Sequence, residues 1–413
     1  MSHSEPTPRL LNRNLLLYMG GWAITAFAYT GVLGVLFNLF LLRLGFGAEF
    51  IGALTGAGQL AWALCALPMG IFVRRFGLRA GLLTSALVQG VSIAALLSVE
   101  LLPREVWSSW LFGWWILAWI GASAHGVSGA PLLMQVSPID RRREAFTLQA
   151  IMLGVVAFAG SIVAGQLPSW LAPIVNATLD QPAPYRAAMI LVPISFGLAV
   201  PIWSRLKVAP IAPPATLESH DRQPTRLLAA LAGMVFLQAA AENGLRTFFN
   251  VYLDRQLLAP VSVIGAIGAV AQAISVASAL LIPAVLRRAG NANALGAISL
   301  CVAACMAALA LVPSLAVAAA SYILVTALVA IAAQARQLFS QEMVAPHWRT
   351  IASSVNNVGV GMGWSVAAGL GGVVVGVAGF AGVFGIGAGL SLAAALSLAS
   401  YSAARRRAVH QSV

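Results

Sequence analysis

Phe37-Asn38-Leu39-Phe40-Leu41-Leu42-Arg43 and Phe249-Asn250-Val251-Tyr252-Leu253-Asp254-Arg255 are two copies of one pattern, an apolar run that ends on an arginine, set 212 residues apart. The correspondence continues outward at an offset of 213: Ile51-Gly52-Ala53-Leu54 against Ile264-Gly265-Ala266-Ile267, Gln59 against Gln272, Arg74-Arg75 against Arg287-Arg288, and Gly77 against Gly290. Chance rarely holds a register to within one residue through two apolar segments and two loops. The chain therefore reads as two related halves. Both copies run in the same direction at the same depth, which describes a parallel repeat about an axis along the membrane normal.

The segments that carry the repeat are too apolar for a protein in water. The chain has 413 residues, 60% of them hydrophobic and 9% charged, with a mean hydropathy of +0.88, whereas soluble domains carry about 25% charged residues. That composition excludes a soluble globular enzyme. Apolar stretches near the ~20 residues that span a bilayer recur from end to end. Six lie between Leu15 and Trp203 and six between Leu227 and Ala404, the last two being Ile351 to Ala378 and Phe380 to Ala404. Between the sixes, 205–226 is rich in proline and charge and cannot bury a core. The expected organisation is an all-α membrane protein of twelve transmembrane helices in two pseudo-symmetric bundles: residues 1–204, a cytoplasmic linker 205–226, and residues 227–413.

The formal charge of +12 would suggest nucleic acid if the basic residues formed a patch, but they lie in short loops. With an even number of spans both termini share a side. That side holds 18 of the 24 Lys and Arg, against Arg43, Arg104, Arg186 and Arg255 on the other. The excess places the termini and linker in the cytoplasm, with a bacterial inner (plasma) membrane as the expected location. Cys65, Cys301 and Cys305 all fall in apolar segments without metal-ligand spacing, and no nucleotide, zinc or cofactor fingerprint is present. No cofactor and no metal are expected; the expected partners are the bilayer, a small-molecule substrate and protons, and not nucleic acid.

The loop after the second span reads Gly70-Ile71-Phe72-Val73-Arg74-Arg75-Phe76-Gly77-Leu78-Arg79. It resembles the G-x-x-x-D-R-x-G-R signature of major facilitator superfamily transporters, and a degenerate copy runs from Pro283 to Gly290. The resemblance implies a non-enzymatic transporter that works by alternating access, with spans one, four, seven and ten around a central cavity. It also implies a gating role for Gly70, Arg74, Arg75, Gly77, Arg79, Arg287, Arg288 and Gly290, beside the topological role that any such arginine has. Arg74 stands where the family prefers Asp. In the fourth span, Ala122 and His125 replace the Arg and Gln of the family's R-x-x-Q-G drug-export pattern, and the fifth span has no Gly-Pro pair. These departures lower the expectation of proton-driven drug export.

Ionisable groups inside a span cost about 2.5–3.5 kcal/mol on insertion scales and normally face protein or a water-filled cavity. Gln238, Glu242, Arg246 and Asn250 recur every four residues along the seventh span, and their first-span counterparts are Ala26, Thr30, Gly34 and Asn38. A charged face confined to one half suits a substrate or coupling site. Two readings stay open: Glu242 and Arg246, one turn apart, form a pair that only orients the helix, or Glu242 couples transport to protons with Arg246 as its modulator. Arg336, between Gln334 and Gln337, has no acid one turn away and either faces the cavity or snorkels to the interface. His125 lies among small residues, where packing competes with ligand binding. Tyr29 belongs to a Tyr18, Trp22, Thr25, Tyr29 stripe that serves equally as an interfacial anchor. The expected function is secondary active transport of a small molecule. A small organic anion is favoured because two arginines stand against one glutamate; export of amphipathic drug-like compounds and a non-transporting receptor are the alternatives.

Overall fold

Backbone polar groups find no partner in hydrocarbon, so an apolar chain crosses a bilayer as helices that satisfy their own hydrogen bonds. The computed structural model describes residues 11–208, 225–279, 288, 290–344 and 348–410, and among them there is no strand. The helices are α1 Arg13–Arg43, α2 Ala48–Phe76, α3 Leu78–Leu97, α4 Trp107–Val136, α5 Arg142–Leu171, α6 Ala183–Trp203, α7 Thr225–Arg255, α8 Val261–Ala279, α9 Asn291–Leu311 and α10 Leu315–Glu342. A last helical stretch, Arg349–His410, is 62 residues long. Run straight it would extend about 90 Å at 1.5 Å per residue. Gly379, at φ 67°, divides it into α11 and α12, at the position where the two apolar runs meet in the sequence. Eleven described helices are long and apolar enough to cross a membrane, and this division of the last one accounts for twelve spans.

The repeat is visible in the backbone. Gly77 opens α3 at φ 94°, ψ 161°, and Gly290 opens α9 at φ 74°, ψ 157°. Side chains rarely adopt this conformation, so only glycine turns the chain here without strain. One departure from the expected plain helix lies in α1, where Phe27–Leu33 is a π-helical segment. Gly31, inside it, meets Gly160 of α5 backbone to backbone. π-Turns concentrate at functional sites, and this one carries Tyr29.

Small residues let helices approach closely in a membrane. Gly52 and Gly56 of α2 pack against Ala368, Gly369 and Gly372 of α11, and Gly165 of α5 packs against Gly265 of α8. The glycines of α11 serve two neighbours: Gly361, Gly369 and Gly372 face α2, while Gly359, Gly363 and Gly371 face α7. Polar ties between the bundles cluster at midplane and at the end away from the termini. Asn38 donates to the Thr247 carbonyl at 2.8 Å, Asn250 to the carbonyls of Gly34 and Val35, and the Ser365 hydroxyl to the Gly56 carbonyl at 2.9 Å. At the terminal end the same face of α2 opens out. Leu67 and Ile71 are exposed, and a groove of about 830 Å³ runs between α2 and α4, with Arg74 and Arg142 on its walls. The chain leaving α6 is tied back, with Asn14 donating to the Lys207 carbonyl at 2.9 Å. Of the rest of the expected linker, 209–224 lies outside the described residues, and Thr225 and Arg226 already belong to α7.

Candidate functional site

Four residues of helix turn through 400°, so a stripe read every four residues drifts by about 40° at each step. The polar face of α7 is therefore spread over three neighbouring helices and the cavity. Gln238 donates to the Ser299 hydroxyl of α9 at 3.0 Å. Glu242, one turn on, meets Arg336 of α10, with Oε1 at 2.7 Å and Oε2 at 3.4 Å from the two guanidinium nitrogens. Arg246 is exposed to the central cavity, beside Tyr322. Asn250 bonds to α1.

Two expectations are corrected. Glu242 does not pair with Arg246, and Arg336, which has no acid one turn away on its own helix, neither lines the cavity nor snorkels: Arg336 is 4% and Glu242 5% exposed, and they pair with each other. A guanidinium arriving from the facing helix presents its planar fork to both carboxylate oxygens. Local spacing registers acids only on the same helix, so it could not find a partner 94 residues away. Arg246 makes no hydrogen bond or ion pair with any described residue.

Arg246 enters a cavity of about 240 Å³ whose walls come from α1, α2, α4, α7 and α11, with Tyr29, Phe37, Gln59, Trp115, Trp119, Asn243 and Trp364 among them. Gln238, Glu242, Asn250 and Arg336 do not line it. Sequence reasoning passed over Asn243, whose amide exchanges hydrogen bonds with Gln59 at 3.1 and 3.4 Å and donates to the Trp364 carbonyl at 2.9 Å, tying α7 to α2 and α11. The recurrence of Gln59 in the repeat was a signal that this position mattered. The tryptophans gave none, since indoles occur throughout apolar spans.

A second space, of about 220 Å³, lies inside the first bundle and is lined by Thr25, Thr30, Gln89, His125 and Phe196. Tyr29 borders both spaces and packs edge-on against Phe196 at 6.2 Å. His125 lies 5.9 Å from the Trp203 ring, so it is both a packing residue and part of a wall.

The two mouths of the cavity differ. At the far end Arg43 reaches Asp254 through two bonds, of 2.6 and 2.8 Å, and Arg255 donates to the Leu42 carbonyl. These are the last residues of the repeat copies that identified the halves. At the terminal end Arg74, Arg75 and Arg79 are exposed; Arg75 lies over the Phe76 ring at 5.4 Å, and Arg79 donates to the Leu206 carbonyl at 3.4 Å. Gly70 stands on the groove wall. Arg288 is exposed, and Arg287 lies outside the described residues.

The fold is shared with solved transporters. The nucleoside transporter NupG superposes with a TM-score of 0.71 at 16% identity, covering 94% of this chain and 99% of that one. A bacterial homologue of the iron transporter ferroportin, solved inward-facing, gives 0.75 at 13% identity, with 95% and 100% covered. A POT family transporter in complex with 5-aminolevulinic acid gives 0.75 at 13% identity, with 94% and 96% covered. Among curated proteins no sequence matches. The sequence profile of the Major Facilitator Superfamily matches residues 17–368: the chain belongs to that superfamily, and it is an integral membrane transporter rather than an enzyme.

Proposed function

We propose that this transporter carries a small organic anion by alternating access, rocking residues 1–204 against residues 227–413 about the central cavity, with the linker 205–226 and both termini on the cytoplasmic side of a bacterial inner membrane. The observation that carries this reading is Arg246, among the described residues the one charged side chain on the cavity wall, facing it with no counter-ion among them. An ionised group at membrane depth is costly unless something answers its charge, and here a substrate carboxylate would do so. Uptake of small carboxylates into proteoliposomes should be saturable and should fall at least tenfold in Arg246→Gln. Equal uptake by that variant would remove the anion reading. Cysteine placed at Ala215 should react with an impermeant reagent only from the inside; labelling from outside intact cells would reverse the orientation.

Proton coupling is proposed at Glu242, with Arg336 taking the partner's place that the sequence suggested for Arg246. A buried carboxylate whose contact with a cation differs between two states changes its protonation with the state. Protonation of Glu242 would part α7 from α10, and α7 carries Arg246 one turn away. Glu242→Gln imitates the protonated form, so it should abolish pH-driven accumulation and retain substrate exchange. Accumulation equal to the parent's under an imposed proton gradient would leave the pair a purely structural one.

A further inference from the structure

The cavity wall reads the body of its ligand as well as the charge. Asn38, Gln59 and Asn243 all face the space, yet their amides are committed to holding helices together: Asn38 to the Thr247 carbonyl, Gln59 and Asn243 to each other, and Asn243 also to the Trp364 carbonyl. The other polar side chains on the wall besides Arg246 are the hydroxyls of Tyr29, Thr55 and Thr247. Most of the apolar side chains on the wall are rings. Phe37 and Trp115 stack at 4.0 Å with an 11° interplanar angle, Trp119 stands edge-on to Trp115 at 6.1 Å, and Trp364, backed by Trp62, closes the other side. Gly58 sets this wall, because the place of its missing side chain is occupied by the Trp119 ring edge and, at 2.8 Å, by Nε1 of Trp115. Both indoles therefore press edge-first on α2. At about 240 Å³ the space is below the ~300–1,000 Å³ of sites for drug-sized ligands, which leaves room for one ring and its substituent.

We infer that the central cavity takes a small aromatic monocarboxylate, its carboxylate at Arg246 and its flat ring among the indoles. The inference rests on the anion reading above and adds the class of body to it. Among the described residues Arg246 is the one cation on the wall and no acid lines the space, so a single negative charge is matched and a zwitterion's ammonium finds no counter-ion there. Ring-on-ring contacts add about 0.5–1.5 kcal/mol beyond area burial, which sets the size of the preference expected over a saturated ring of the same outline.

The test is isothermal titration of the purified full-length protein with benzoate, cyclohexanecarboxylate and benzamide. Benzoate should bind roughly two- to tenfold more tightly than cyclohexanecarboxylate, and benzamide at least tenfold more weakly than benzoate. Trp364→Leu should erase the preference between the two acids while both still bind. Gly58→Ala, which displaces the two indoles without removing either, should reduce the preference in the same way and guards against misfolding of the first variant. Equal affinity for the two acids, or a preference that survives in both variants, would overturn the aromatic class and leave the anion reading in place. Benzamide binding as tightly as benzoate, with Arg246→Gln unchanged, would overturn both. No binding of benzoate by a protein that still takes up aliphatic carboxylates in proteoliposomes would overturn the aromatic class alone.

Discussion

Arg43–Asp254 at the far mouth and Arg336–Glu242 in the second bundle are both two-pronged arginine–carboxylate contacts between helices, with shortest distances of 2.6 and 2.7 Å. Their settings differ. The first joins α1 to α7 across the bundles, and its arginine side chain keeps 15% exposure. The second joins α7 to α10 within one bundle, with side chains 5% and 7% exposed. An opening of the far mouth has to part the first pair, whereas the second, inside one bundle, yields only to a change within that bundle. The lesson is that similar geometry holds one bundle against the other in one place and two helices of a single bundle in the other, according to which bodies the pair connects and how dry it is.

The largest effect should come from breaking the dry pair one-sidedly. Arg336→Ala strands a buried carboxylate, at a cost of about 3–5 kcal/mol. The thermal midpoint of the purified protein should fall steeply, and the double change Glu242→Gln with Arg336→Gln should recover most of it. A single variant as stable as the parent would show that the pair holds nothing. At the far mouth, a hydrogen bond to a charged group contributes about 1.5–3 kcal/mol, so Asp254→Asn should move the balance toward the far-open state by roughly ten- to hundredfold, with little change in folding. Labelling of Thr55→Cys from the far side, in a background lacking Cys65, Cys301 and Cys305, measures that shift; an unaltered labelling rate would mean that the mouth is closed by packing alone.

Between the two lies the Asn243 tie. Side-chain hydrogen bonds between membrane helices average about 0.6 kcal/mol with a maximum near 1.7, so Asn243→Ala should lower stability by an amount in that range, visible as a modest drop in the thermal midpoint. A loss as large as that of Arg336→Ala would put the amide rather than the ion pair at the centre of the bundle contact. The smallest structural effect belongs to Arg75→Ala, an exposed side chain whose loss should cost under about 0.5 kcal/mol in stability. Its predicted influence is on the terminal mouth, so transport rate should change more than ligand affinity. Unchanged turnover in well-expressed protein would leave Arg75 its topological role only.

Much of the architecture was legible before any coordinates, because the quantities that decide it are sums over neighbours in the chain. Twenty apolar residues make a span whatever they later touch, and Gly77 and Gly290 mark their turns because the backbone itself requires positive φ there. The register that links Phe37–Arg43 to Phe249–Arg255 likewise needs only comparison along the sequence, and α7 could be picked out as the charged helix without knowing its neighbours. The tertiary structure alone decided the partners. Arg43 and Asp254 are 211 residues apart, Arg336 and Glu242 are 94, and nothing local distinguishes an arginine that bolts a mouth from one that only sets topology. The π-segment Phe27–Leu33 was equally silent, since hydropathy is blind to whether a turn holds one more residue. The indoles became a cavity wall only when Gly58 let α4 lie against α2, because the stacking energies and the desolvation of a buried charge depend on which surfaces meet, and that is fixed by helix packing rather than by residue order.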